Sequence, residues 1–164
     1  MRRELFRQAR WSCVALLIAL AGCAPGITPR LEAHRPAAIL DDVFIMPDGA
    51  ELPYRRWAPE EPPRAVIIAL HGLNDYSGAY RDLGPLLARH GLLVYAYDQR
   101  GFGGTSMRGD WAGTGAMTDD LGTVTELLRV AHPNLPVYAL GESMGGAVIM
   151  AALASATPPR LDGA

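Results

Sequence analysis

Two unbroken apolar runs organise this chain, Ala65-Val66-Ile67-Ile68-Ala69-Leu70 and Leu92-Leu93-Val94-Tyr95-Ala96-Tyr97. Neither alternates with polar residues, the pattern of a strand covered on both faces. A third run, Val137-Tyr138-Ala139-Leu140, leads into Gly141 and predicts a strand at 137–141. Helical spacing fills the gaps. Leu83, Leu86 and Leu87 give one helix its inward face, with Gly84 at its cap and Pro85 at its first position. His90-Gly91 closes it, Gly standing at C′. Leu121, Val124 and Leu128 share a face of a second helix, which Thr118 caps and whose first turn holds Asp119 and Asp120. His132-Pro133-Asn134 stops it. Ala147 to about Ser155 forms a third. Upstream, Val43–Met46 and Leu52–Trp57 flank the turn signal Pro47-Asp48-Gly49 and predict a hairpin. Pro53 suits an edge position in it.

Strands alternating with helices imply an α/β fold: about five strands, mostly parallel, with a hairpin at one edge and three main helices. The crossovers are expected to be right-handed. There is no internal repeat. The 164 residues allow one modest domain, and 49% hydrophobic against 20% charged content excludes disorder. Net charge is −2 with no basic stripe, which argues against a nucleic-acid partner.

Residues 1–22 read differently. Arg2, Arg3, Arg7 and Arg10 precede a short apolar run, Trp11–Leu20, and then small residues, the pattern of an export signal. The run is too short to span a bilayer comfortably, which takes about 20 residues. Removing this segment takes four of 15 Arg and one of 17 acids, leaving 11 and 16, net −5. Leu20-Ala21-Gly22-Cys23 resembles a bacterial lipoprotein box, which implies a lipidated Cys23 and anchoring at the cell envelope. Ala24, where an Asp would signal inner-membrane retention, points to the outer membrane. The other cysteine, Cys13, lies in the removed segment, so no intramolecular disulfide is expected. Residues 23–39 read as a tether and 40–164 as the folded domain.

The chemistry concentrates at Gly141-Glu142-Ser143-Met144-Gly145. A serine hydroxyl is a weak nucleophile and must project where a base can take its proton. The Gly-x-Ser-x-Gly turn between strand and helix does this, and its crowded backbone excludes side-chain bulk at Gly141 and Gly145. Two segments precede it in order, His71-Gly72-Leu73-Asn74-Asp75-Tyr76-Ser77-Gly78-Ala79-Tyr80 and Asp98-Gln99-Arg100-Gly101-Phe102-Gly103. Together the three resemble an α/β-hydrolase of the monoacylglycerol lipase and lysophospholipase group, related to the serine aminopeptidase-like hydrolases, over roughly residues 40–164. The resemblance implies Ser143 as nucleophile and the backbone N–H groups of Met144 and Leu73 as oxyanion hole. It implies supporting roles for His71, Gly72, Gly141 and Gly145, and a lipid-like ester as substrate. Gly72 is expected to permit close backbone approach.

His71 precedes the serine, whereas this fold places its base last, so it is read as structural. His90 and His132 sit at helix ends, and His34 in the tether. Asp98 is read as structural for the same reason of chain order. Gly101-Phe102-Gly103-Gly104 lacks the spacing of a dinucleotide fingerprint. No metal-ligand spacing stands out, and no cofactor is expected.

The family's order is serine, acid, histidine. After Ser143 the sequence holds one acid, Asp162, and no His. The expectation is therefore a truncated, inactive hydrolase half lacking about three strands and a cap, with the 137–141 strand left as a bare sheet edge. Asp162 would lie far from the catalytic strand ends. The alternative is a non-catalytic lipoprotein binding module built on a partial hydrolase fold. Oligomeric state is not legible.

Overall fold

A computed structural model describes residue 32 and residues 34–106 and 108–164. The export segment, Cys23 and most of the tether lie outside the described residues. Six strands form one mixed sheet: β1 (Ala38–Ile39), β2 (Val43–Ile45), β3 (Glu51–Trp57), β4 (Ala65–Leu70), β5 (Leu92–Tyr97) and β6 (Val137–Gly141). Their order is β1-β2-β3-β5-β4-β6. The hairpin side is antiparallel as far as β5, and β5, β4 and β6 run parallel. A 3-10 turn (Ser77–Tyr80) and helix α1 (Leu83–Arg89) connect β4 to β5. Helix α2 (Thr114–Ala131) connects β5 to β6, and α3 (Met144–Leu153) follows β6.

The two uninterrupted apolar strands are buried on both faces, as their lack of alternation requires. Val66, Ile68 and Leu70 of β4 and Leu93, Tyr95 and Tyr97 of β5 join Leu121, Val124 and Leu128 of α2 and Val148 and Ile149 of α3. Ala69, Val94, Ala96 and Tyr80 form the opposite core, with Trp57 and Leu87 packed on it. The sheet is thus covered on each face, and the loops that follow β4, β5 and β6 leave from one end of the parallel strands.

Several local expectations are corrected. Of the expected leucine face of helix α1, Leu87 packs on the core but Leu83 and Leu86 are exposed, while Gly84 and Ala88, one turn apart, are buried. The Trp57 indole is the reason. A Cβ at Gly84 would collide with its ring, so this face of the helix must be small. Asp82, not Gly84, precedes the helix. His90 and Gly91 do close it, with Gly91 at φ 81° donating its N–H to Ala88 O. Helix α2 begins at Thr114 behind Gly113, four residues before the expected cap, and Thr118 Oγ1 donates within the helix to Gly115 O. Pro53 is not on an edge, since β3 pairs with β2 and with β5. Its carbonyl accepts from Asp98 N at 2.7 Å, so its missing donor falls one residue beyond the Tyr54–Tyr97 pair that ends the β3–β5 ladder.

Residues on both sides of the sheet extend it. Arg35 reaches back to Gly49 O, and His34 N and Arg35 N both donate to Pro47 O, so this stretch packs on the hairpin turn. At the other side, β6 is not a bare edge. Ala139 N donates to Gly163 O at 3.0 Å and Asp162 N to Val137 O at 2.7 Å, a short parallel pairing. Tyr138 and Leu140 remain exposed there. Among the described residues, no helix is long and apolar enough to cross a membrane.

Candidate active site: a serine at a strained turn beside a braced loop

Ser143 links β6 to α3 at φ 49°, ψ −109°. A non-glycine residue there carries strain on the order of 1–3 kcal/mol, which the surroundings must impose. They do so by crowding. A Cβ at Gly141 would lie 2.5 Å from Gly145 C and Gly146 N, and one at Gly145 would run into the Leu70 carbonyl oxygen. The bend is closed by Gly145 N donating to Glu142 O at 2.8 Å, and helix α3 starts with Ala147 N on Ser143 O at 3.0 Å. The serine side is exposed to solvent.

The elbow is tied to the end of β4. Leu70 O accepts from Glu142 N at 3.0 Å and from the Tyr80 hydroxyl at 2.8 Å. Burial, with the Glu142 charge adding to it, pushes the Tyr80 phenol up to about 12, so it stays a donor. Directly after Leu70 the chain passes the serine. A Cβ at Gly72 would meet Glu142 O and Ser143 Cβ, each at 3.7 Å. That is ordinary contact, so the expected steric need for glycine at 72 is not found. Asp75 N donates to Gly72 O at 3.3 Å and closes a turn in which Asn74 holds φ 60°, a conformation Asn tolerates. Among the described residues, neither the Leu73 nor the Met144 N–H meets a protein acceptor.

His71 is fully buried and both ring nitrogens are engaged. Nε2 accepts from Gln99 N at 3.0 Å, and Nδ1 lies 2.8 Å from Gly72 O. With Nε2 an acceptor, Nδ1 carries the proton and donates. Burial pushes the ring's pKa below its ordinary value, so it is neutral. The Gln99 side chain returns a bond to His71 O at 2.7 Å. Asp98 accepts from Ser77 N and from Gly104 N, each at 2.7 Å, pinning the Ser-Gly-x-Tyr segment to the glycine-rich loop. These contacts engage both groups in structure. His90 caps α1, His34 lies by Glu32 O, and His132 Nε2 lies 3.2 Å from the Tyr95 hydroxyl. Asp162 is held by Val137 N and Arg129, at the opposite end of β6 from Ser143.

One residue of this framework escaped the sequence reading. Arg100 is buried between two acids, bonding Asp120 through Nε (2.9 Å) and Nη2 (2.7 Å) and Asp48 through Nη1 (2.7 Å). Burial works against its charge, and the bonds to Asp120 and Asp48 outweigh it, holding the guanidinium protonated.

A cavity of about 780 Å³ opens beside the loop, walled by Leu73, Tyr76, Phe102, Arg108 and Trp111. Ser143 lies outside its lining. Among the described residues, no cluster of His, Cys, Asp or Glu can hold a metal ion.

A mixed sheet with helices on both faces, and a strained serine at a strand–helix junction beside a braced loop, define part of an α/β-hydrolase. Residues 61–164 match the family described as Serine aminopeptidase, S33, and the chain belongs to that family. It is similar to a monoacylglycerol lipase of Mycolicibacterium smegmatis, 34% identical over 104 residues, covering 63% of this chain and 37% of the relative. It is similar as well to the Homo sapiens monoglyceride lipase, 35% identical over 106 residues, covering 64% of this chain and 35% of that one. A solved lipase in an open form superposes with a TM-score of 0.62 at 29% identity, over 70% of this chain and 38% of the lipase. The chain thus spans little more than a third of the length of these proteins.

Proposed function

We propose that the protein is a serine-dependent carboxylic ester hydrolase. Its substrates are lipid-like monoesters, monoacylglycerol or lysophospholipid, cleaved through an acyl-Ser143 intermediate. The observation that carries this reading is the placement of Ser143 at a strained, exposed turn against the Gly72–Leu73 loop. Ser143 Oγ attacks the ester carbonyl, and the N–H groups of Leu73 and Met144 receive the charge that develops on its oxygen. Each such donor is worth on the order of 10²–10³ in rate. The intermediate expels the alcohol, and water then releases the acid. The cavity beside Leu73 has the size and partly aromatic walls suited to a lipid-like group. Lipase relatives support an ester substrate. The export signal and Cys23 belong to the same proposal: a lipid-anchored enzyme of the bacterial cell envelope, at the outer membrane.

The proton of Ser143 needs an acceptor that none of the four histidines supplies, and residues 144–164 hold only Asp162 as an acid. On this reading the 164 residues alone turn over esters poorly, and an added base restores the missing step. The test is p-nitrophenyl ester cleavage by the chain in rising imidazole, with the rate of a Ser143→Ala variant subtracted. A rate that climbs with imidazole only when Ser143 is present supports the proposal. Identical rates for the two proteins at every concentration reject it and favour a non-catalytic binding module.

A further inference from the structure

We propose that His71 is a positioning residue whose Nδ1–H sets the plane of the Gly72–Leu73 peptide and so aims the Leu73 N–H at the substrate oxygen. This rests on the ester hydrolase reading for its consequence, but its geometry stands by itself. A trans peptide is planar, with its C=O and N–H directed oppositely, and no peptide bond among the described residues is cis. The Gly72 carbonyl faces the buried imidazole at 2.8 Å. The Leu73 N–H therefore faces the other way, out of the core, in the loop whose Gly72 lies against Ser143.

The loop needs such a constraint. Leu73 is 59% exposed and Gly72 has no side chain, so neither residue anchors the peptide in the core through its own side chain. The turn bond from Asp75 N is long at 3.3 Å. Among the described residues, the His71 imidazole is the rigid, buried donor to this carbonyl. The ring can donate from Nδ1 because Gln99 N–H occupies Nε2 at 3.0 Å, which selects one tautomer. The Gln99 backbone is in turn held between Asp98, bonded to Ser77 and Gly104, and Arg100, clamped by Asp48 and Asp120. The ring edge also rests against Phe102, 5.6 Å between centroids. A buried framework thus ends on one peptide plane, and that plane carries one of the two charge-stabilising donors.

Two side chains separate the ring's two functions. Asparagine places an amide N–H near the position of Nδ1 and lacks the distal acceptor. Glutamine reaches the position of Nε2, where its oxygen can accept from Gln99 N–H, and offers nothing to Gly72 O. The first measurement needs no variant: the imidazole ¹⁵N shifts of His71 in the intact chain at neutral pH. Protonated Nδ1 with bare Nε2 is expected, and the opposite tautomer overturns the proposal. The second is the rate at which a fluorophosphonate phosphonylates Ser143, with Oγ attacking phosphorus and fluoride leaving, followed by mass. His71→Gln is expected to slow phosphonylation by about 10²-fold, the cost of losing one donor, with its reversible pre-binding unchanged. His71→Asn is expected to stay within a few-fold of the parent. Equal losses in both variants, tracking their melting temperatures, would mean the ring only stabilises the fold and would overturn the proposal. If the parent's Ser143 reacts no faster than exposed Ser106, the hydrolase reading fails. The Leu73 amide ¹⁵N shift then decides the positioning claim: moved in His71→Gln and kept in His71→Asn supports it, and the reverse refutes it.

Discussion

The Tyr80 hydroxyl donates to the Leu70 carbonyl oxygen at 2.8 Å, the same oxygen that receives Glu142 N–H from the serine turn. Tyr80 thus braces the point where the two halves of the candidate site meet. Tyr80→Phe removes the hydroxyl and leaves Leu70 O its bond from Glu142. The expected loss is about 1 kcal/mol of stability, read as a lower melting temperature by circular dichroism. An unchanged melting temperature would show that the bond adds nothing.

Glycine need differs sharply from one position to the next. Gly145→Ala drives a methyl group into the Leu70 carbonyl, where both partners are backbone. It is expected to cost at least about 1–3 kcal/mol, as overpacking does. Gly122→Ala, in the middle of α2 with nothing within 4 Å, is expected instead to stabilise by about 0.5–1 kcal/mol. Thermal unfolding of the two variants should move in opposite directions from the parent.

Arg100→Met leaves Asp48 and Asp120 buried without their shared cation. Breaking a buried pair from one side typically costs about 3–5 kcal/mol, enough to unfold a marginal domain. Arg100→Met combined with Asp48→Asn and Asp120→Asn should recover much of that loss, because no charge is then stranded. Urea unfolding of the single and triple variants checks this. A triple variant no more stable than the single one would contradict it.

Acid should destabilise the fold through His71 and His132. Burial holds His71 below its ordinary value of 6.5, and burial followed by the Arg56 charge does the same to His132. Below pH 6.5 the unfolded chain therefore binds protons that the folded chain refuses, so stability falls as pH drops through that window. The expected result is a melting temperature that declines below pH 6.5, less steeply in His71→Asn. A profile flat from pH 7 to pH 5 would contradict it.

The parts of this molecule legible in sequence are those governed by local patterns. Continuous burial on two faces wrote β4 and β5 as uninterrupted apolar runs, and the demand for two glycines around Ser143 marked the elbow. What escaped depended on distant partners. The small face of α1 answers to Trp57, a residue of β3, and leucine spacing alone carries no trace of that ring. The early start of α2 hid behind Thr118, which resembles a cap but bonds inside the helix. Arg100 meets Asp120 and Asp48 across 20 and 52 residues, so no window of sequence contains the cluster. At the site, the exposed serine and its flanking glycines were readable. The tautomer of His71 was not, because Gln99, which selects it, is 28 residues away.

The most direct test of the account is to treat the chain with an alkyl fluorophosphonate and map the adducts by peptide mass spectrometry over time. An aimed pair of amides accelerates attack even where a base is missing. The account predicts an adduct at Ser143 that forms well ahead of any at the exposed Ser106 and Ser155, and that disappears in Ser143→Ala. Equal, slow modification of all three serines would contradict it.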